Sequence, residues 1–260
     1  MMARGEKIVW TSIKTLYHRL GSPKWFYILT GRWLPWILVV SLALLVTGSI
    51  WGLAIAPQDF QQGHSFRIIY IHVPAAFLAQ SIYVMMAISG VVLLVWKIKM
   101  TDIIATALVP IGATMTFISL VTGAIWGVPT WGTWWMWDAR LTSMLILFFL
   151  YLGMIALRLA VKPQETAAKA CALMAIVGVV NIPIIKYSVD WWYTLHQPAT
   201  FRIVGGASSS MPASMALPLL VMVLGFYCFL AWVVIVHARA LILQREGQTG
   251  WVKELMKEKS

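Results

Sequence analysis

Six stretches of about twenty apolar residues decide what this chain can become: Leu34 to Leu53, Val73 to Trp96, Ala105 to Ile125, Leu141 to Ala160, Ala167 to Ile185 and Leu217 to Val236. A hydrocarbon layer of about 30 Å is crossed by about twenty residues of helix. Backbone groups in lipid find no water, so helices that satisfy their own hydrogen bonds are the expected form. The runs are too long and too evenly apolar for barrel strands, which alternate. We therefore expect an all-α, polytopic membrane protein of six transmembrane helices, with both termini on one side. Its 11% of charged residues, against about a quarter in soluble domains, agrees.

The basic residues orient these spans. Sixteen of the twenty Lys and Arg fall on the side of the termini and its two short loops, and only Arg67, Arg140, Lys186 and Arg202 fall on the other. The positive-inside rule then makes the termini cytoplasmic and turns the segments around 54–72, 126–140 and 186–216 outward. The net charge of +11 is thereby mostly topology, and no nucleic-acid partner is expected. The expected organisation is a cytoplasmic segment over 1–33, a transmembrane domain over 34–236 and a cytoplasmic tail over 237–260. Ala54-Ile55-Ala56 resembles a signal-cleavage site, but the first run exceeds a signal h-region and more than thirty residues precede it, so a retained span is expected. Cys171 and Cys228 lie inside apolar runs and suit packing, and no P-loop sequence is present.

The unusual residues are in the outward segments. Five tryptophans, Trp126, Trp131, Trp134, Trp135 and Trp137, fall within twelve positions and run into Asp138, Arg140 and Thr142. Gly127, Pro129 and Gly132 are expected to interrupt the helix there. Indoles at 131, 134, 135 and 137 would line one wall if the segment is partly helical. An interfacial aromatic belt and a platform for a planar apolar ligand both use indole. Concentration in one loop, with Trp191 and Trp192 in another, favours the platform.

Two histidines share this zone. His72 stands in R-I-I-Y-I-H-V-P-A-A at the mouth of the second span, with Pro74 read as a first-turn proline. His196 stands in W-W-Y-T-L-H-Q-P ahead of the sixth span. Neutral imidazole is a common axial ligand of haem iron, and one from each side completes a six-coordinate site. His64 is a lesser third candidate, and His18 and His237 are discounted as cytoplasmic. Haem carries two anionic propionates, for which Arg67, Arg140 and Arg202 are the outward arginines, although Arg140 can equally pair with Asp138.

The segment W-G-T-W-W-M-W-D-A-R-L-T resembles the tryptophan-rich WWD signature of haem-handling proteins in cytochrome c maturation. With the two histidine segments and six spans, the chain resembles the CcmC, or haem exporter protein C, family over nearly its whole length. The resemblance implies transient bis-histidine binding of haem b by His72 and His196. It also implies a signature formed by Trp126, Trp131, Trp134, Trp135, Trp137 and Asp138, and delivery to the haem chaperone CcmE. The implied partners are CcmA, CcmB and CcmD, in the bacterial inner membrane with the functional loops periplasmic. No hydrolytic or redox active site is visible, and any enzymatic role would be assistance to covalent attachment of haem to the chaperone. Two other readings stay open: a membrane b-type cytochrome subunit of an electron-transfer complex, and a permease subunit of an ABC-type transporter.

Overall fold

A computed structural model of the protein describes residues 21–192, 194, 196 and 211–258. Arg202, His18 and the basic residues before Gly21 lie outside the described residues. The described chain forms eight α-helices and no β-strand: α1 Pro23–Ser49, α2 Ile69–Trp96, α3 Lys99–Trp131, α4 Ala139–Ala160, α5 Gln164–Gly178, α6 Asn181–Trp191, α7 Ala213–Arg245 and α8 Gly250–Lys257. A π-helical segment, Ile50–Ile55, extends α1, and a 3₁₀ helix, His64–Ile68, leads into α2. Six helical spans are long and apolar enough to cross a membrane, the fifth being α5 and α6 together. The all-α, six-span expectation holds.

The helices outrun the apolar runs. The first begins at Pro23 and the sixth continues to Arg245, because propagation of a helix in or near lipid costs less than exposing unbonded backbone. Two expectations about proline and glycine are corrected for the same reason. Gly127 and Pro129 do not interrupt α3, which stops only at Gly132, where φ is +75°. Pro74 lies at the sixth position of α2 and not in its first turn, so the Tyr70 carbonyl lacks its usual helical donor.

At the centre, α2 packs along α3 and also touches α5 and α7, while α1 packs mainly on α7. Large side chains enter gaps left by small ones, which suits helices that gain little from hydrophobic exclusion in lipid. Tyr151 of α4 is fully buried and donates to the Ala79 carbonyl of α2 at 2.7 Å, in space that a Cβ on Gly112 of α3 would fill. Gly90 gives the backbone of α5 room at Ala172, where a Cβ would lie 3.0 Å from the carbonyl oxygen.

The fifth span is broken, a feature absent from the sequence reading. Pro183 has no N–H for the Val179 carbonyl, which accepts instead from Ile182 at 3.0 Å. Buried Asn181 fastens the break to α4 through a 2.8 Å bond to the Ser143 carbonyl. The result is that α5 packs on α2 and α4, whereas α6 packs on α4, near the start of which lies Arg140.

At the opposite end of the bundle the helices are tied by charge. Buried Asp102, in the first turn of α3, bonds Arg158 of α4 at 2.8 Å and Arg245 of α7 at 2.7 Å. Tyr27 near the start of α1 lies under the Arg239 guanidinium, 3.8 Å from its ring centre, and beside Trp251 of α8. The described ends of the chain therefore meet at this end. Removing a carboxylate that holds two largely buried guanidiniums is costly, about 3–5 kcal/mol for a broken buried pair. Asp102→Ala is expected to lower the thermal unfolding midpoint in detergent by many degrees, while Glu165→Gln, which removes a carboxylate from an exposed ion pair with Lys169, leaves it within a degree or two.

Candidate functional site

The tryptophan segment divides into two parts. Trp126 and Trp131 belong to the last turns of α3, whereas Trp134, Trp135 and Trp137 follow Gly132 in an irregular loop. The expected common helical wall over 131, 134, 135 and 137 is thus corrected, because Gly132 ends the helix and breaks the periodicity. Gly127 lets the loop return over the helix, since a Cβ there would sit 2.8 Å from the Thr133 carbonyl oxygen. Trp135 lies between its neighbours, its ring centre 6.3 Å from that of Trp134 and 5.3 Å from that of Trp137. Trp134 and Trp137 are 67% and 75% exposed, and the buried indole N–H of Trp135 has no partner.

The helical pair faces the histidines. Trp126 meets His72 edge to face at 5.7 Å between ring centres, and Trp131 lies 5.9 Å from His196. The Trp126 indole donates to the Gln62 side chain at 2.7 Å, which fixes it against the 56–63 loop. His72 and His196, separated by more than 120 positions in sequence, come together with ring centres 6.4 Å apart and planes inclined by 33°. Sequence reading placed His72 outside the apolar run; it is instead in the first turn of α2 and buried, although still at the end of its span.

The two imidazoles are held differently. Thr122 donates its single hydroxyl hydrogen to the Ile118 carbonyl at 2.6 Å, so toward His72 it can only accept. The 3.0 Å contact between His72 Nδ1 and Thr122 Oγ1 therefore assigns the proton to Nδ1 and leaves the Nε2 lone pair free. Gly123 makes room for this ring, as a Cβ there would approach His72 Cε1 to 3.0 Å. At His196 the partner is Arg140, whose Nη1 donates to Nδ1 at 2.9 Å. A guanidinium has no lone pair to give, so here Nδ1 is the acceptor.

Asp138 and the arginines frame this pair. Asp138 is the N-cap of α4, accepting from the Leu141 amide at 2.7 Å, and its other oxygen accepts from the Thr194 hydroxyl. Thr194 in turn accepts from the His196 amide at 3.1 Å, so one carboxylate both starts a helix and anchors the histidine segment. Arg140 also donates to the Ile185 and Lys186 carbonyls, at 3.2 and 3.3 Å, which joins α4 to α6. Arg67 is turned the other way: it donates to the Leu53 and Ala56 carbonyls, both at 2.8 Å, and closes the end of the π-helical segment.

The remaining expectations distribute as follows. His64 bonds Gln58 and has no part in the imidazole pair. Trp191 and Trp192 are about half exposed and pack with each other and Tyr187. Thr122, Gly123, Gln62 and Thr194 escaped sequence reading. A hydroxyl or an amide gives no signal alone, and these partners lie up to 64 positions from the residues they serve. Among the described residues, no group of three or more His, Cys, Asp or Glu is gathered that could hold a metal ion.

The family described as Heme exporter protein C matches residues 16–253. Among similar proteins, Heme exporter protein C of Escherichia coli (strain K12) is 46% identical over 243 residues, covering 94% of this chain and 97% of the relative. That of Haemophilus influenzae is 47% identical over 238 residues, with 92% and 96% covered. That of Bradyrhizobium diazoefficiens is 46% identical over 226 residues, with 87% and 85% covered.

Loss of the Asp138 carboxylate removes an N-cap, worth about 1 kcal/mol, together with the Thr194 bond. Asp138→Ala is expected to speed hydrogen exchange at the amides of Leu141 and His196 by tenfold or more. Exchange unchanged at both amides would show that neither depends on the carboxylate.

Proposed function

The chain belongs to the Heme exporter protein C family, and on that premise we propose that His72 and His196 bind haem as cargo and that the protein delivers it to the haem chaperone CcmE. Membership itself gives a multi-pass membrane protein of the Ccm haem export system, acting in cytochrome c maturation. The proposal adds the ligands, the face of the membrane, the haem type and the recipient. We read the cargo as haem b, the end of the bundle bearing the histidines as periplasmic, and the membrane as the inner one. CcmA, CcmB and CcmD are the proposed partners, in keeping with the missing P-loop sequence.

The observation that carries this reading is the imidazole pair. Metal–imidazole bonds of about 2 Å put the ring centres of two axial ligands about 6 Å apart, allowing about 1.1 Å from each nitrogen to its ring centre. The separation of 6.4 Å supports such a pair. Two imidazoles leave a bare cation short of the four or more ligands it prefers, whereas haem iron already has four ring nitrogens and lacks only the axial two. Trp126 and Trp131 supply apolar surface beside them, and Arg140 a cation within reach of an acidic substituent.

In this mechanism the chain binds and orients, while the reactivity belongs to haem. His72 is fixed by Thr122 and presents Nε2; Trp126 is fixed by Gln62; Asp138 anchors the segment that bears His196. Trp134 and Trp137, largely exposed, are proposed to meet lipid or the incoming chaperone. Arg67, committed to backbone carbonyls, is proposed to act on haem indirectly, by holding the turn before α2.

Two measurements test these points. Haem-loaded protein is expected to give a low-spin, six-coordinate spectrum that His72→Ala and His196→Ala each abolish; retention of that spectrum in both single variants contradicts the ligand assignment. For orientation, Phe60→Cys is expected to react with an impermeant maleimide in intact spheroplasts and Glu254→Cys only after lysis. The reverse pattern would invert the topology.

A further inference from the structure

His72 and His196 are in opposite tautomers, and the difference has a chemical consequence. His72 carries its proton on Nδ1, toward Thr122, and its Nε2 lone pair is available. His196 accepts from Arg140 at Nδ1, so a neutral ring carries its proton on Nε2. Neither nitrogen of His196 can then bind a metal: Nδ1 is occupied by the guanidinium and Nε2 by hydrogen. Nε2 becomes a ligand only when the proton is on Nδ1, the atom that Arg140 covers.

We propose that Arg140 gates His196, holding it in a tautomer that cannot ligate until a carboxylate on the incoming porphyrin draws the guanidinium away. This rests on the reading of His72 and His196 as the axial ligands. The competition favours release, because a carboxylate carries the charge opposite to the guanidinium and can take two parallel bonds from it, whereas the neutral imidazole offers a single uncharged acceptor. No net proton is gained or lost: the Arg140–Nδ1 hydrogen bond breaks, an Arg140–carboxylate bond forms, and one proton passes from Nε2 to Nδ1 through water.

The order of events follows. His72 takes the iron first and needs no rearrangement, and His196 closes the second axial position only behind a ligand that carries an acidic group. Arg140 is thus a specificity-determining residue, since a porphyrin without free carboxylates stops at one histidine. Its bonds to the Ile185 and Lys186 carbonyls keep it beside the histidine until then, and they connect the gate to α6, the half of the broken span that packs on α4.

The test uses the full-length protein in detergent, loaded with ferric haem or with ferric haem dimethyl ester, and reads spin state by absorption and electron paramagnetic resonance. In the wild-type protein haem is expected to give the low-spin signal. The ester is expected to bind but lose most of that signal and give a high-spin one, held by His72 alone. Arg140→Leu, which removes the gate, is expected to be low-spin with both. A fully low-spin ester complex of the wild-type protein overturns the gate, as does failure of the ester to bind, because His72 needs no carboxylate. The wild-type arms stand even if the variant does not fold. Failure of the ligand reading itself looks different: ferric haem then stays low-spin in both His72→Ala and His196→Ala.

Discussion

A backbone in hydrocarbon must bond to itself, and from this constraint the rest of the structure follows. It makes each apolar run a helix, carries α3 through Gly127 and Pro129 to Gly132, and pushes polar chemistry to the ends of the bundle. One end holds Asp102 between two arginines, and the other holds the imidazole pair with Asp138 and Arg140. Between them the helices meet through small residues and buried tyrosines such as Tyr151, whose hydroxyl finds a backbone carbonyl. Polar groups inside the apolar region are therefore few, and each has a local task.

The site sits where two irregularities meet. The 3₁₀ helix and the turn closed by Arg67 deliver His72 at the start of α2, and the break between Gly178 and Asn181 turns α6 onto α4, where its carbonyls receive Arg140. Without the break, Arg140 would have no carbonyls at Ile185 and Lys186 to hold it. The function proposed for the site thus depends on residues such as Asn181 and Pro183 that touch neither histidine.

Much of this was legible in the sequence because it depends on local pattern. Hydrophobic run length sets the spans, the tryptophan cluster stands out by composition, and the two histidine segments stand out by their place beside it in the outward segments. What could not be read depends on distant partners. Asp102 gave no signal in the sequence, and Arg158 and Arg245 counted only as topological charges, until folding brought the three together. The tryptophans read as one wall because periodicity was carried past Gly132, whose positive φ ends it. Arg67 and Arg140 both read as outward cations, with Asp138 the alternative partner of Arg140, yet one caps backbone carbonyls and the other covers an imidazole nitrogen.

That two imidazoles of one chain hold the iron of the cargo is the central claim, and nuclear couplings to the metal test it most directly. Haem-loaded protein made with ¹⁵N-histidine is expected to show, by pulsed electron–nuclear double resonance on the ferric centre, strongly coupled ¹⁵N from two imidazoles, reduced to one when either His72 or His196 is replaced. Coupling from a single imidazole in the wild-type protein, or from two in both single variants, would contradict the account.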